Sequence, residues 1–237
     1  MLLPYEKLSR IYDGFWGKFS LDYVPFIKDI TNRLGYNIDT VLDIACGTGS
    51  LAIELSKYAK TVVGIDISLE MLQVARAKAK NIPNVRFIQA NFRKFQLDET
   101  FGIALCCFDS INYAQSLDDV IDMVCCVYRH LERHGLFIFD FVNEKHFERI
   151  DGTSGDYEID GVKYKNLSKY NSVKKVGISE FIFENGREVH RQIPIEQEEM
   201  MYILENNGFW IVNIFSSLNQ SLVDDETERF FFVVRKG

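Results

Sequence analysis

Thr40-Val41-Leu42-Asp43-Ile44-Ala45-Cys46-Gly47-Thr48-Gly49-Ser50-Leu51-Ala52 is the stretch whose reading decides the fold. Its first five residues are mostly apolar and β-branched, as in a strand covered on both faces. Gly47 and Gly49 let the backbone turn sharply and approach a ligand with no Cβ in the way. Leu51, Ile53, Leu55 and Tyr58 then recur at the spacing of an amphipathic helix. Strand, glycine turn and helix together open a ligand-binding α/β unit.

The same alternation continues downstream. Thr61 to Ile65 reads as the next strand, with Asp66 at its end, and Ser68 is placed to cap a helix before Leu69-Glu70-Met71-Leu72. Strands are expected at 85–90, 101–108 and 136–141, with a helix over 117–131 between the last two. Strands separated by helices predict a doubly wound, mostly parallel α/β sheet. From 151 to 193 the period changes, and Asp160-Gly161, Asn171-Ser172 and Asn185-Gly186 punctuate an antiparallel β insert of about four strands. A helix over 196–206 leads to strands at 209–215 and 229–235, read as an antiparallel closing hairpin that completes seven strands. The expected organisation is a Rossmann-like unit over 1–150 and 194–237 with N-terminal helices over 5–34, and a β insert over 151–193.

Composition bounds the class. The chain has 237 residues, enough for one α/β domain with a small insert, and a net charge of −7, which opposes non-specific attraction to phosphate backbones. Nucleic acid is demoted as a partner. No apolar run reaches the roughly 18–20 residues needed to span a bilayer, and Met1 to Lys7 lacks the apolar run of a signal peptide. Cys46 and the doublets Cys106-Cys107 and Cys125-Cys126 suit neither a disulfide framework nor a zinc site and read as packing, so a reducing cytoplasm is expected. The four histidines show no ligand spacing, so no metal is expected.

Asp66 lies about 20 residues beyond the glycine turn, where a doubly wound fold holds a ribose hydroxyl. Gly47-Thr48-Gly49-Ser50-Leu51-Ala52 also fits the dinucleotide pattern G-x-G-x-x-A, so the glycines alone leave the cofactor open.

The context resembles the class I S-adenosylmethionine-dependent methyltransferases, whose first motif is acidic-x-Gly-x-Gly-x-Gly. Asp43 supplies the acid, Gly47 and Gly49 the later glycines, and Ala45 stands in for the first glycine. Val63 to Leu72 resembles the second motif, and Gln89-Ala90-Asn91-Phe92 a third, with Asn91 where the family usually has Asp. The resemblance covers most of the chain. It implies S-adenosyl-L-methionine as cofactor: Asp43 near the methionine amino group, Ala45, Cys46, Gly47 and Gly49 beneath the cofactor, and Asp66 on the ribose. Ile67 would flank the adenine, Met71 would also bind the cofactor, Asn91 and Phe92 would contact the base, and Phe108, Asp109 and Ser110 would line the methyl-transfer face.

Tyr12-Asp13, Phe108 to Tyr113, Phe139-Asp140-Phe141 and Glu188 to Gln192 carry a narrower likeness, to small-molecule methyltransferases with a β insert after the fifth strand, sugar-amine N-methyltransferases among them. Its implied partner is a small-molecule amine or hydroxyl acceptor, and a homodimer is left open. Methyl transfer from a sulfonium is an in-line displacement that mainly needs positioning and exclusion of water. Tyr12 and Tyr23 are candidates for a lid over the cofactor, and Tyr12 and His190 for the catalytic step, His190 as base. Three alternatives stand beside this reading: an NAD-dependent oxidoreductase, a non-catalytic S-adenosylmethionine-binding protein, and a nucleic-acid methyltransferase.

Overall fold

The computed structural model describes residues 4–237. Met1 to Leu3, part of the stretch read against a signal peptide, lie outside the described residues. The described residues form a seven-stranded and a four-stranded sheet.

The larger sheet contains β1 (Thr40–Ile44), β2 (Thr61–Asp66), β3 (Val85–Gln89), β4 (Phe101–Cys106), β5 (Leu131–Val142), β10 (Phe209–Phe215) and β11 (Arg229–Lys236), in the order β10-β11-β5-β4-β1-β2-β3. All pairings from β5 to β3 are parallel, and β11 runs antiparallel to both β5 and β10. The order reverses between β1 and β4. In open α/β sheets ligands bind at such a switch point, outside the carboxyl ends of the strands.

Alternate side chains of the central strands feed two cores. Val41 and Val62 face α2 (Gly17–Leu34), α3 (Ser50–Leu55) and α4 (Leu69–Lys78). Leu42, Ile44, Val63 and Ile65 face α5 (Leu117–His130) and α7 (Gln197–Asn206). Local chemistry marks several helix ends. The Ser68 hydroxyl accepts from Met71 N, and Ser116 accepts from Asp119 N at the start of α5. Glu196 and Glu199 form a capping box at α7, and Gly35, at φ 75°, closes α2.

The smaller sheet, β6 (Ser154–Ile159), β7 (Val162–Asn171), β8 (Val176–Phe183) and β9 (Gly186–Gln192), is an antiparallel meander. Asp160 and Gly161 both have positive φ between the paired Ile159 and Val162, the two-residue turn their sequence implied. At the last hairpin Phe183 pairs with Gly186, so the turn is Glu184-Asn185, one residue before Asn185-Gly186.

Several expected boundaries move. The helix after the glycine turn ends at Leu55, leaving Tyr58 outside it and exposed beneath Lys28. The strand expected to reach Phe108 ends at Cys106, because Phe108 and Asp109 turn back with φ of 64° and 46°. β5 begins at Leu131, and a short helix, α6 (Glu144–Ile150), joins it to the insert. Phe147 of α6 explains Gly177 on β8, where a Cβ would lie 2.2 Å from the Phe147 ring.

The N-terminal segment bridges the two sheets. Leu8 and Ile11 bury against Tyr164 and Phe183 of the insert, with Tyr5, Tyr12 and Trp16 packed beside them. α1 (Tyr12–Phe15) then crosses toward the glycine turn, where Thr48 Oγ1 donates to Asp13 Oδ1 at 2.5 Å and Lys78 Nζ to Asp13 Oδ2 at 2.6 Å.

Candidate functional site

A cavity of about 1000 Å³ opens at the carboxyl ends of β1, β2 and β3 and runs to the inner face of β9. The sequence-predicted residues Tyr12, Ala45, Gly47, Asp66, Ile67, Met71, Asn91, Phe92, Phe108, Asp109, Ser110 and His190 all line it. Asp43 and Cys46 line a smaller recess that shares Tyr12, Ala45, Gly47, Phe108 and Ser110 with the large cavity.

Two expected residues stand back. Gly49 begins α3 at φ 74°, and a Cβ there would meet the Phe87 ring at 2.5 Å, so its absent side chain makes room for β3 packing. Tyr23 is buried on α2; its hydroxyl donates to Asp140 Oδ1 at 2.9 Å and accepts from Phe108 N at 3.1 Å. It supports the turn after β4 from below.

Two carboxylates sit at the glycine turn. Asp66 Oδ2 accepts from Gly47 N and Oδ1 from Ser68 N, each at 2.8 Å. Burial raises its pKa, and those backbone N–H groups pull the other way. Each oxygen keeps a lone pair for a further donor. Asp43 is buried, and among the described residues its Oδ2 atom has no hydrogen-bond partner. Burial, with Asp66 nearby, pushes its carboxyl up to about 7, against the Ala52 backbone N–H. A buried carboxylate oxygen without a donor is costly, and a cationic amino group from a ligand would satisfy it.

At the adenine end expected from the sequence, Ile67 is exposed beside Met71, which is buried. Asn91 Oδ1, the atom expected to receive the adenine amino group, accepts from Arg93 N at 3.0 Å. That bond makes a local turn and occupies one of its two lone pairs.

The turn after β4 rests on a charge network that the sequence reading did not assign. Asp140, fully buried on β5, accepts from Phe108 N at 2.6 Å and Asp109 N at 2.9 Å. Arg229, opening β11, bonds both Asp140 and Asp109, the latter at 2.6 Å, and Gln192 Nε2 donates to Asp109 Oδ2 at 2.7 Å. Burial works against the Arg229 charge, but the two aspartates outweigh it and hold the guanidinium above its ordinary pKa. Two consecutive non-glycine residues at positive φ are held in place by this network.

Across the cavity, Glu188 and His190 lie two apart on β9 and so point to one face. His190 is buried with Nε2 3.2 Å from Glu188 Oε2 and Nδ1 2.9 Å from the Tyr113 hydroxyl. Glu188 also accepts from the backbone N–H groups of Tyr5, Lys7 and Leu8, which ties the N-terminal segment to the insert. Of these partners only Glu188 carried a readable signal, as a charged residue two positions from a histidine in a strand. Their pairing needed the tertiary fold.

A family model described as a methyltransferase domain matches residues 41–135. YqeM of Bacillus subtilis (strain 168), which carries the name of a presumed methyltransferase, is 29% identical over 98% of this chain and 97% of its own length. A dTDP-3-amino-3,4,6-trideoxy-alpha-D-glucopyranose N,N-dimethyltransferase of Streptomyces venezuelae is 27% identical over 56% of each chain. The crystal structure of an S-adenosylmethionine-dependent methyltransferase from Clostridium acetobutylicum ATCC 824 superposes with a TM-score of 0.85 and 25% identity, covering 98% of this chain and 99% of that one.

Proposed function

Since the chain belongs to the class I S-adenosylmethionine-dependent methyltransferases, we propose that it methylates a small-molecule amine or hydroxyl held inside the large cavity. One observation carries the reading. The cavity is continuous from the glycine turn to His190, and its volume is at the top of the range for small-ligand sites. In this reading the cofactor and a small acceptor share the cavity, which residues of the insert and of the N-terminal segment also line.

S-adenosyl-L-methionine supplies the activated methyl group when bound. In this reading the unpartnered Asp43 Oδ2 receives its amino group, and Asp66 its ribose hydroxyls. Ile67, Met71 and Phe92, which line the cavity, would pack on the adenine, with Asn91 at its edge. Phe108, Asp109 and Ser110, on their braced turn, form the wall beside the acceptor. Tyr12 stacks on Trp16 at a centroid distance of 5.4 Å over the glycine turn and excludes water there. Tyr23 acts by holding Phe108. The acceptor of the Streptomyces venezuelae relative, a sugar amine, supports an amine on a ring as the first class to try.

The antiparallel β11 weighs against the NAD-dependent alternative, because a parallel strand beside β5 would have favoured it. The five cysteines are free, which suits the reducing cytoplasm in which we place the enzyme. No described helix is long and apolar enough to cross a membrane. Incubation with methyl-labelled S-adenosylmethionine and a panel of amino sugars, amino acids and phenols tests the proposal. Label in an amine or hydroxyl product supports it; label only in added protein or nucleic acid would refute it.

A further inference from the structure

We propose that Tyr5 is the catalytic residue that takes the methyl acceptor's proton and passes it through Tyr113 to Nδ1 of His190. The inference rests on the methyl-transfer reading of the cavity and goes beyond it by fixing where the proton goes.

Glu188 is fully buried and accepts from Tyr5 N at 2.9 Å, Lys7 N at 2.5 Å and Leu8 N at 3.0 Å. Burial alone would raise its pKa, but His190 and these backbone donors hold it below the ordinary value. A carboxylate so bonded is ionised and can only accept. The His190 Nε2 atom, 3.2 Å away, therefore carries a proton, and in this Nε2–H tautomer Nδ1 is left as the acceptor. The Tyr113 hydroxyl at 2.9 Å must then donate to Nδ1. Its oxygen in turn receives the Tyr5 hydroxyl at 2.6 Å. All donors point the same way, from the cavity toward Glu188.

Tyr5, Tyr113 and His190 all line the cavity, and Tyr5 is the last hydroxyl of the chain, its oxygen keeping a lone pair after donating to Tyr113. Burial, with Tyr113 and Tyr12 nearby, pushes the Tyr5 phenol well above its ordinary pKa, so it works by relaying a proton rather than as a phenolate. As the acceptor's N–H or O–H bond breaks, its proton binds the Tyr5 oxygen. The Tyr5 proton moves to Tyr113, and the Tyr113 proton to Nδ1. The step leaves an imidazolium facing the Glu188 carboxylate, with no change of oxidation state, and the proton returns to solvent by the same path after product leaves. Around His190 stand Glu188 from β9, Tyr113 from the turn after β4, Tyr5 from the N-terminal segment and Phe181 from β8. Asp66 and Asp109 act on the phenols from farther off.

The direction of the chain can be read without any acceptor. Nitrogen NMR of histidine-labelled protein with S-adenosylhomocysteine should find His190 in the Nε2–H form; an Nδ1–H form overturns the proposal. With labelled S-adenosylmethionine and the probes D-glucosamine and catechol, Tyr5→Phe should lose about 10²-fold or more in kcat, the scale of a lost proton acceptor, at unchanged S-adenosylhomocysteine affinity. Equal kcat overturns the proposal. Glu188→Gln should move the acidic limb of the rate profile to lower pH, because an amide no longer favours the imidazolium; a weakened but unmoved profile assigns Glu188 a purely structural role and contradicts the relay. Failure of the wild-type chain on both probes counts against the acceptor classes of the proposed function, and the tautomer then decides the relay.

Discussion

The Asp66 carboxylate at the end of β2 accepts the Gly47 backbone N–H at 2.8 Å, so the acid of one strand fastens the glycine turn of its neighbour. Its second oxygen holds Ser68 N at the start of α4. One side chain thus sets the turn, orders the helix entrance and faces the cavity.

Asp66→Ala should therefore weaken S-adenosylhomocysteine binding by about tenfold to a hundredfold, the scale of one or two charge-assisted hydrogen bonds. Far-ultraviolet circular dichroism should stay native. Calorimetric affinity equal to wild type would remove the ribose assignment.

Asp43 makes a pH-dependent prediction. Its folded-state pKa, about 7, lies above the ordinary 3.8, so between those values the native state holds more protons than the unfolded chain. The stability it contributes is full below about pH 4 and is lost as pH rises through about 7. Asp43→Asn should raise the ligand-free Tm at pH 7.5, by about 2–4 °C per kcal/mol recovered in a chain of this size, and weaken S-adenosylmethionine binding. A cationic amino group beside Asp43 should also drive out its proton. Titrations at pH 6 in buffers of different ionisation enthalpy should show proton release in wild type and less in Asp43→Asn.

Removing one member of the buried network should cost more than removing an exposed pair. Arg229→Met leaves Asp140 and Asp109 facing each other without a cation and should cost about 3–5 kcal/mol by urea unfolding. Arg229→Met with Asp140→Asn should recover part of that loss. A single-variant cost near that of a surface ion pair would show that the turn after β4 does not depend on the network.

Much of this architecture was legible in the chain because α/β units declare themselves locally. Val41, Leu42 and Ile44 announce a buried strand, Ser68 a helix start, and Asp160-Gly161 a hairpin. Boundaries slipped where tertiary chemistry overrode local preference. Phe108 looks like a strand residue, yet Asp140 and Arg229, 31 and 120 positions from Asp109, fold it and Asp109 into a turn. α6 is too short to leave a periodic signal. The glycine-turn end of the cavity was readable as a motif. The Tyr5–Tyr113–His190–Glu188 chain was not, since it joins the N-terminal segment, the turn after β4 and the insert across 183 positions.

Asp13 joins the N-terminal segment to the glycine-turn end of the cavity through Thr48, Ser50 and Lys78. These contacts are half exposed, so each contributes little alone. Asp13→Ala should leave global stability within about 1 kcal/mol while speeding amide exchange over 12–20 and S-adenosylhomocysteine dissociation. Exchange unchanged over that segment would argue that packing on the insert alone holds it.

Calorimetric titration of the wild-type protein with S-adenosylmethionine, S-adenosylhomocysteine and NAD in parallel tests the central claim most directly. The account predicts micromolar binding of the first two and none of the third. Binding of NAD with silence from both sulfur ligands would contradict it.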